Sequence, residues 1–269
     1  MLATYIDPRW VLVMLGSAAA FGSLSPLIQA RKLSYFAASL PHSALLSITL
    51  GYIASVAVGG HPALWAVAFS LPLSAMLMYF VHRGVSEDSA TSAFVAFTVS
   101  GSVAAVYYVL TNYPARVSLW SYILGDPLLS TWEDAAIAAA MGVLTVALTS
   151  RLILVEVSIG MDSEFAASSG IKVSLHNYLL ASLLTVTAVG LLKIVGFVLE
   201  HVVLLMPGAA AAIIARSARE FYLLSVVFSL SASALGLALS ILLNIAPAAM
   251  TGFVLLAFYL AALALGGGR

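Results

Sequence analysis

The chain has 269 residues, of which 62% are hydrophobic and 8% charged, with a mean hydropathy of +1.09. Ordinary soluble domains carry about 25% charged residues, so a water-soluble globule is excluded and the solvent for most of this chain is lipid. Eleven Lys and Arg balance eleven Asp and Glu, leaving no excess positive charge to hold nucleic acid. Cysteine is absent, which removes disulfides, iron–sulfur clusters, thiolate metal sites and cysteine nucleophiles together.

A membrane-crossing helix needs about 20 mostly apolar residues. On that ruler the chain reads as spans at Trp10–Ala30, Leu33–Val58, Pro62–Val81, Ala90–Leu110, Asp134–Leu154, Tyr178–Leu192, Ile194–Ala215, Phe221–Leu243 and Ala246–Leu265. The first ends in Arg31-Lys32 with no small-residue cleavage site, so it reads as a retained span and not as a signal peptide. The sixth and seventh form one apolar run from Tyr178 to Ala215, which as a single helix would measure about 57 Å. That exceeds one crossing, so the run must break or turn back, and eight or nine spans bracket the count. The expected class is an all-α integral membrane protein.

Basic residues are retained on the cytoplasmic side of a membrane. Nine spans with the N-terminus outside place Arg31, Lys32, Arg83, Arg151, Lys172, Arg216, Arg219 and Arg269 inside, and Arg9, Arg116 and Lys193 outside. A multi-pass protein of the cell membrane with a short cytoplasmic C-terminal tail is therefore expected.

Two connections exceed tight turns. Thr111–Glu133 on the outer side carries Tyr113-Pro114, Trp120, Tyr122, Gly125-Asp126-Pro127 and Trp132, a mix suited to a headgroup belt with a Gly-Asp-Pro turn. Val155–Asn177 on the inner side is the most polar stretch, with Glu156, Asp162, Glu164, Lys172 and His176, and is long enough for its own short helix. Sequence-level repeats are not evident, but hydropathy permits four spans, a fifth crossing and four more, a paired arrangement that transporters use.

Ionisable groups inside apolar spans are functional candidates, because a charge at the bilayer centre costs about 2.5–3.5 kcal/mol on insertion scales. Glu200-His201 is the foremost, apolar for several residues on either side. A carboxylate beside an imidazole offers oxygen and nitrogen donors for zinc, manganese or iron. Against that reading, burial would simply protonate Glu200, or it would reach toward Lys193, and His201 would be an ordinary interhelical hydrogen-bonding residue. His42 follows Pro41, whose missing N–H frees a carbonyl one turn earlier, and the hydroxyls of Ser34, Ser39 and Ser43 make this stretch polar enough to line a cavity. His61 and His82 fall at span ends and His176 in the inner loop, where solvated positions are expected. Hydrolase, metalloprotease, dinucleotide-binding and phosphate-loop patterns are all absent, so no ATP hydrolysis by the chain itself is expected.

These stretches resemble the permease subunits of the zinc/manganese/iron ABC importers, typified by the bacterial high-affinity zinc permease. Arg31-Lys32-Leu33-Ser34-Tyr35-Phe36 through Leu40-Pro41-His42-Ser43 is similar to the family's Arg-Arg-Met-Ser-Tyr-Phe-Gly-Asp-x-Leu-Ala-His-Ala segment. Tyr122-Ile123-Leu124-Gly125-Asp126 is similar to its outer Tyr-Leu-Phe-Gly-Asp loop, and Lys193-Ile194-Val195-Gly196 through Leu204-Leu205-Met206-Pro207-Gly208-Ala209-Ala210 to its Lys-x-Val-Gly through Leu-Leu-x-x-Pro-Ala-Ala segment. Glu164, Ala166 and Gly170 resemble the Glu-Ala-Ala-x-x-x-Gly coupling segment that docks on an ATPase. Two departures stand out. The family's aspartate, four residues before the histidine, falls on Ala38, and Glu200 and His201 stand where the family has apolar or small residues.

The resemblance implies an ABC importer permease fold with two related halves. It further implies a homodimer around a translocation path, a separate cytoplasmic ATPase and an extracytoplasmic binding protein. The chain would hold no cofactor, and a divalent metal cation would be its transported substrate. His42, Glu200 and His201 would ligate the metal, with Glu200 or His201 supplying the ligand lost at Ala38. Glu164, Ala166 and Gly170 would couple to the ATPase, and Tyr122, Gly125 and Asp126 would dock the binding protein. The competing reading is a cation-coupled secondary transporter or channel with Glu200 and His201 as a relay.

Overall fold

A computed structural model describes residues 6–113 and 127–266. Long apolar segments in lipid must satisfy their backbone internally, and the described chain does so as helices. In order these are α1 (Pro8–Ala30), α2 (Ser34–Val58), α3 (Pro62–His82), α4 (Glu87–Asn112), a 3-10 turn (Pro127–Leu129), α5 (Trp132–Met161), α6 (Ser163–Ser168), α7 (Val173–Ile214), α8 (Ala218–Leu243) and α9 (Pro247–Gly266). Among the described residues eight helices are long and apolar enough to cross a membrane.

The centre of the bundle is α1. Every residue from Ala20 to Ile28 is buried, the pattern of a helix that is apolar all round and enclosed by neighbours. Pro26 sits inside it and cannot donate to the carbonyl of Gly22 one turn back. Ser225 of α8 supplies the missing donor, its hydroxyl reaching Gly22 O at 2.8 Å, and Ser229 donates to Ala18 O at 2.7 Å. Small residues allow these approaches: a Cβ added to Gly22 would lie 2.3 Å from that of Ser229. On another side, Gly16 of α1 meets Ala138 and Gly142 of α5 backbone to backbone.

The long apolar run is one continuous element, α7, 42 residues with non-helical angles at Gly196 (φ 76°, ψ 165°). Its course follows from three contacts. Asn177 accepts a hydrogen bond from Arg31, Leu205 O accepts one from Gln29, and Gly208 N donates to Ser25 Oγ at 2.8 Å. Asn177 and Gly208 lie 31 residues apart, about 46 Å along a straight helix, whereas Ser25 and Arg31 are about 9 Å apart on α1. The helix therefore doubles back at Gly196, the one residue type that adopts this positive φ without strain. Its two legs are the sixth and seventh spans, and both begin or end near Arg31.

The fifth span corrects the sequence reading. It continues seven residues past Leu154 to Met161, so Glu156 is helical and fully buried, not a solvated loop carboxylate. Its start is set by a reciprocal cap: Thr131 Oγ1 accepts from Asp134 N, and the Asp134 carboxylate accepts from Thr131 N at 2.9 Å.

Candidate functional site

Pro41 lies within α2, and the two serines beside His42 turn onto their own helix: Ser39 donates to Phe36 O at 2.7 Å and Ser43 to Leu40 O at 2.9 Å. Both are buried, so His42 alone of these polar residues projects toward the next element. The element it meets is the second leg of α7. Phe197, immediately after the Gly196 turn, forms an edge contact with His42 (ring centroids 4.9 Å) and a tilted contact with His201 one turn on (4.8 Å). The two imidazole centroids are 6.1 Å apart at 79°. A metal bound at an imidazole nitrogen sits about 2.0–2.1 Å from it, hence about 3 Å from the ring centre, so two rings at this separation can flank one ion. The Ala38 backbone also faces His201. Both histidines are half-buried, and His201 Nδ1 is buried without a partner.

Glu200 behaves differently. Successive helical residues are about 100° apart, so Glu200 faces away from the side that carries His201. Its side chain is fully buried, and neither carboxylate oxygen has a hydrogen-bond partner. Lys193 does not answer it; that ammonium lies 3.4 Å from Asp134 at the start of α5. No group of three or more His, Cys, Asp or Glu gathers closely enough to hold a metal among the described residues. The structure thus brings His42 and His201 together across 159 residues and leaves Glu200 outside the pair. Phe197, the platform for both rings, was missed in the sequence; its only signal was an aromatic one turn before His201.

Of the other histidines, His61 is exposed and caps α3, its Nδ1 accepting from Ala63 N at 3.3 Å. His82 is the last residue of α3. His176 is not free in solvent: its Nδ1 lies 2.8 Å from Glu156.

The polar segment between α5 and α7 contains α6, a six-residue helix. Asp162 caps it, accepting from Glu164 N and Phe165 N at 3.0 and 2.9 Å. Gly170 (φ 88°) ends it in a Schellman arrangement, with Gly170 N donating to Ala167 O and Ile171 N to Ala166 O. Ala166 is buried while Glu164 and Phe165 are exposed. Tyr122, Gly125 and Asp126 lie outside the described residues.

Eight helices long and apolar enough to cross a membrane, packed around a central helix, define an all-helical membrane protein. The sequence pattern of the ABC 3 transport family matches residues 4–266, and the chain belongs to that family, the permease subunits of metal ABC importers. It is 27% identical over 212 residues to the "probable metal transport system membrane protein" of Thermotoga maritima, covering 79% of this chain and 73% of that one. It is 25% identical over 225 residues to the manganese import system permease protein ScaB of Streptococcus gordonii, covering 84% and 78% respectively. Its fold matches a chain of the structure described as PsaBC from Streptococcus pneumoniae in complex with Fab, with a TM-score of 0.83 at 22% identity over 98% of this chain and 95% of that one.

Proposed function

We propose that this chain carries a divalent transition-metal cation through the membrane on His42 and His201, as one half of a homodimeric permease driven by a separate cytoplasmic ATPase and supplied by an extracytoplasmic binding protein. The observation that carries the reading is the 6.1 Å separation of two imidazoles that share a ring contact with Phe197. Two neutral nitrogens bind an ion weakly enough to release it, as conduction requires. A second copy would supply two more nitrogens at the dimer axis. Glu200 stands behind His201 in the core and is no ligand in this arrangement.

In the same reading the Arg31 end of the bundle is cytoplasmic and the N-terminus lies outside, in keeping with the bias of basic residues. The short helix α6 contacts the ATPase, presenting exposed Glu164 and Phe165 around buried Ala166, with exposed Met161 beside them at the end of α5. Tyr122, Gly125 and Asp126 meet the binding protein. The relatives' names favour manganese. The donor set favours a softer ion such as zinc, because imidazole suits zinc and iron whereas manganese prefers carboxylate oxygens.

Uptake by the reconstituted importer tests this. Zinc or manganese accumulation is expected only with the ATPase and ATP present, and competition between the two metals ranks them. Accumulation by the purified chain alone under an ion gradient would overturn the reading in favour of a secondary transporter.

A further inference from the structure

Four polar side chains from three parts of the bundle meet at the Arg31 end, and none belongs to the histidine pair. Glu156 of α5 is fully buried, and the side chains of Arg31 and His176 are only 8% and 19% exposed. One Glu156 oxygen accepts from Arg31, the other lies 2.8 Å from His176 Nδ1, and the second guanidinium nitrogen of Arg31 donates to Asn177. A carboxylate so deeply buried is tolerated only when its charge is paired and its lone pairs are occupied. Here both conditions are met by residues of different elements.

Those elements are mechanically distinct. Arg31 is in the turn between α1 and α2, three residues before the helix that carries His42. His176 and Asn177 are the fourth and fifth residues of α7, which follows α6 after the four-residue link 169–172. At the opposite end Lys193 meets Asp134 at 3.4 Å with its side chain 59% exposed, and exposed pairs of that kind hold weakly.

We propose that Glu156 is a positioning residue for transport, fastening the start of α7 to the α1–α2 turn so that a displacement of α6 is delivered to α2 and its His42. The hydrogen bonds and ion pairs of Glu156 among the described residues go to Arg31 and His176, not to His42, His201 or α6. While its bonds to Arg31 and His176 persist, the two segments move as one body. Without the carboxylate only the Arg31–Asn177 hydrogen bond still joins the two segments, and a movement of α6 is passed to α2 less completely. This inference rests on the reading of α6 as the ATPase contact.

The test uses the complete importer in proteoliposomes, measuring metal uptake and ATP hydrolysis in the same vesicles for Glu156→Gln, Arg31→Gln and the double variant. Hydrolysis is expected to stay within twofold of the unaltered importer while uptake falls at least fivefold, and the double variant should fall no further than either single one. Unchanged uptake, or uptake and hydrolysis falling in equal proportion with the ATPase still bound, overturns the proposal. Should Glu156→Gln fail to fold, His176→Gln and Asn177→Ala leave the Arg31–Glu156 pair in place. An unchanged uptake-to-hydrolysis ratio in both overturns it equally. Copurification of the ATPase with a Phe165→Ala, Glu164→Ala variant separates the two readings: undiminished binding removes α6 as the contact, whereas the Glu156 ratio reports on the tie itself.

Discussion

The contact between α1 and α5 gives the most direct prediction about what holds the bundle together. In lipid there is little hydrophobic drive to bring helices together, so close packing at small residues carries much of the association. A Cβ built on Gly142 would lie 2.6 Å from Gly16 O and 3.2 Å from Gly16 Cα, whereas ordinary contact begins near 3.4 Å. The obstacle is backbone, which cannot rotate aside, so Gly142→Ala must separate the helices by about 0.8 Å locally, forfeiting about a quarter to a half of the dispersion energy across that contact. Overpacking of this kind costs about 1–3 kcal/mol. Alanine also gains about 1 kcal/mol of helix propensity over glycine, so the comparison needs a matched control. Gly190→Ala provides it, since its Cβ would meet only the flexible Met141 methyl, at 3.5 Å. Thermal unfolding in detergent, followed by circular dichroism, should put Gly142→Ala roughly 2–12 °C below Gly190→Ala, using about 2–4 °C per kcal/mol for a chain of this size. Equal midpoints, or a higher one for Gly142→Ala, would refute the packing argument.

Glu200→Leu should raise the unfolding midpoint, because it removes two buried oxygens without partners, a burden of about 1–3 kcal/mol, and should leave metal uptake within twofold; a drop in uptake comparable to loss of His42 would return Glu200 to the path. Thr131→Ala should lower stability by about 1 kcal/mol by removing the side chain that caps α5, read as a small downward shift in the same unfolding experiment. Gly170→Ala meets no atom within 4 Å but must hold φ 88°, so it should lower stability by about 1 kcal/mol through backbone strain alone; an unchanged midpoint would show that this turn rearranges freely.

The spans were legible because each is a long apolar run bounded by charges or by Gly, Pro and Asn, and the excess length of Tyr178–Ala215 required a break or a reversal before any contact was known. Its location was less legible: Gly196 is one glycine among several, and only the approach of Asn177 and Gly208 to the same stretch of α1 makes it the turning point. Glu156 was misplaced for a physical reason. A lone carboxylate near a span end reads as part of the polar loop, and its two partners, Arg31 and His176, are 125 and 20 residues away in the chain. For the same reason adjacency on the chain suggested that Glu200 and His201 act together, whereas the helix sends them to different faces and brings His201 to His42 instead. The missing carboxylate at Ala38 was visible in the sequence.

The central claim is that His42 and His201 form the metal step of an ATP-driven path, and metal uptake by the reconstituted importer carrying His201→Ala or His42→Ala, with unfolding midpoints recorded in parallel, tests it most directly. The account predicts that each variant keeps its midpoint within a few degrees, keeps ATPase binding and loses at least ten-fold in uptake. Uptake by His201→Ala equal to that of the unaltered chain would contradict it.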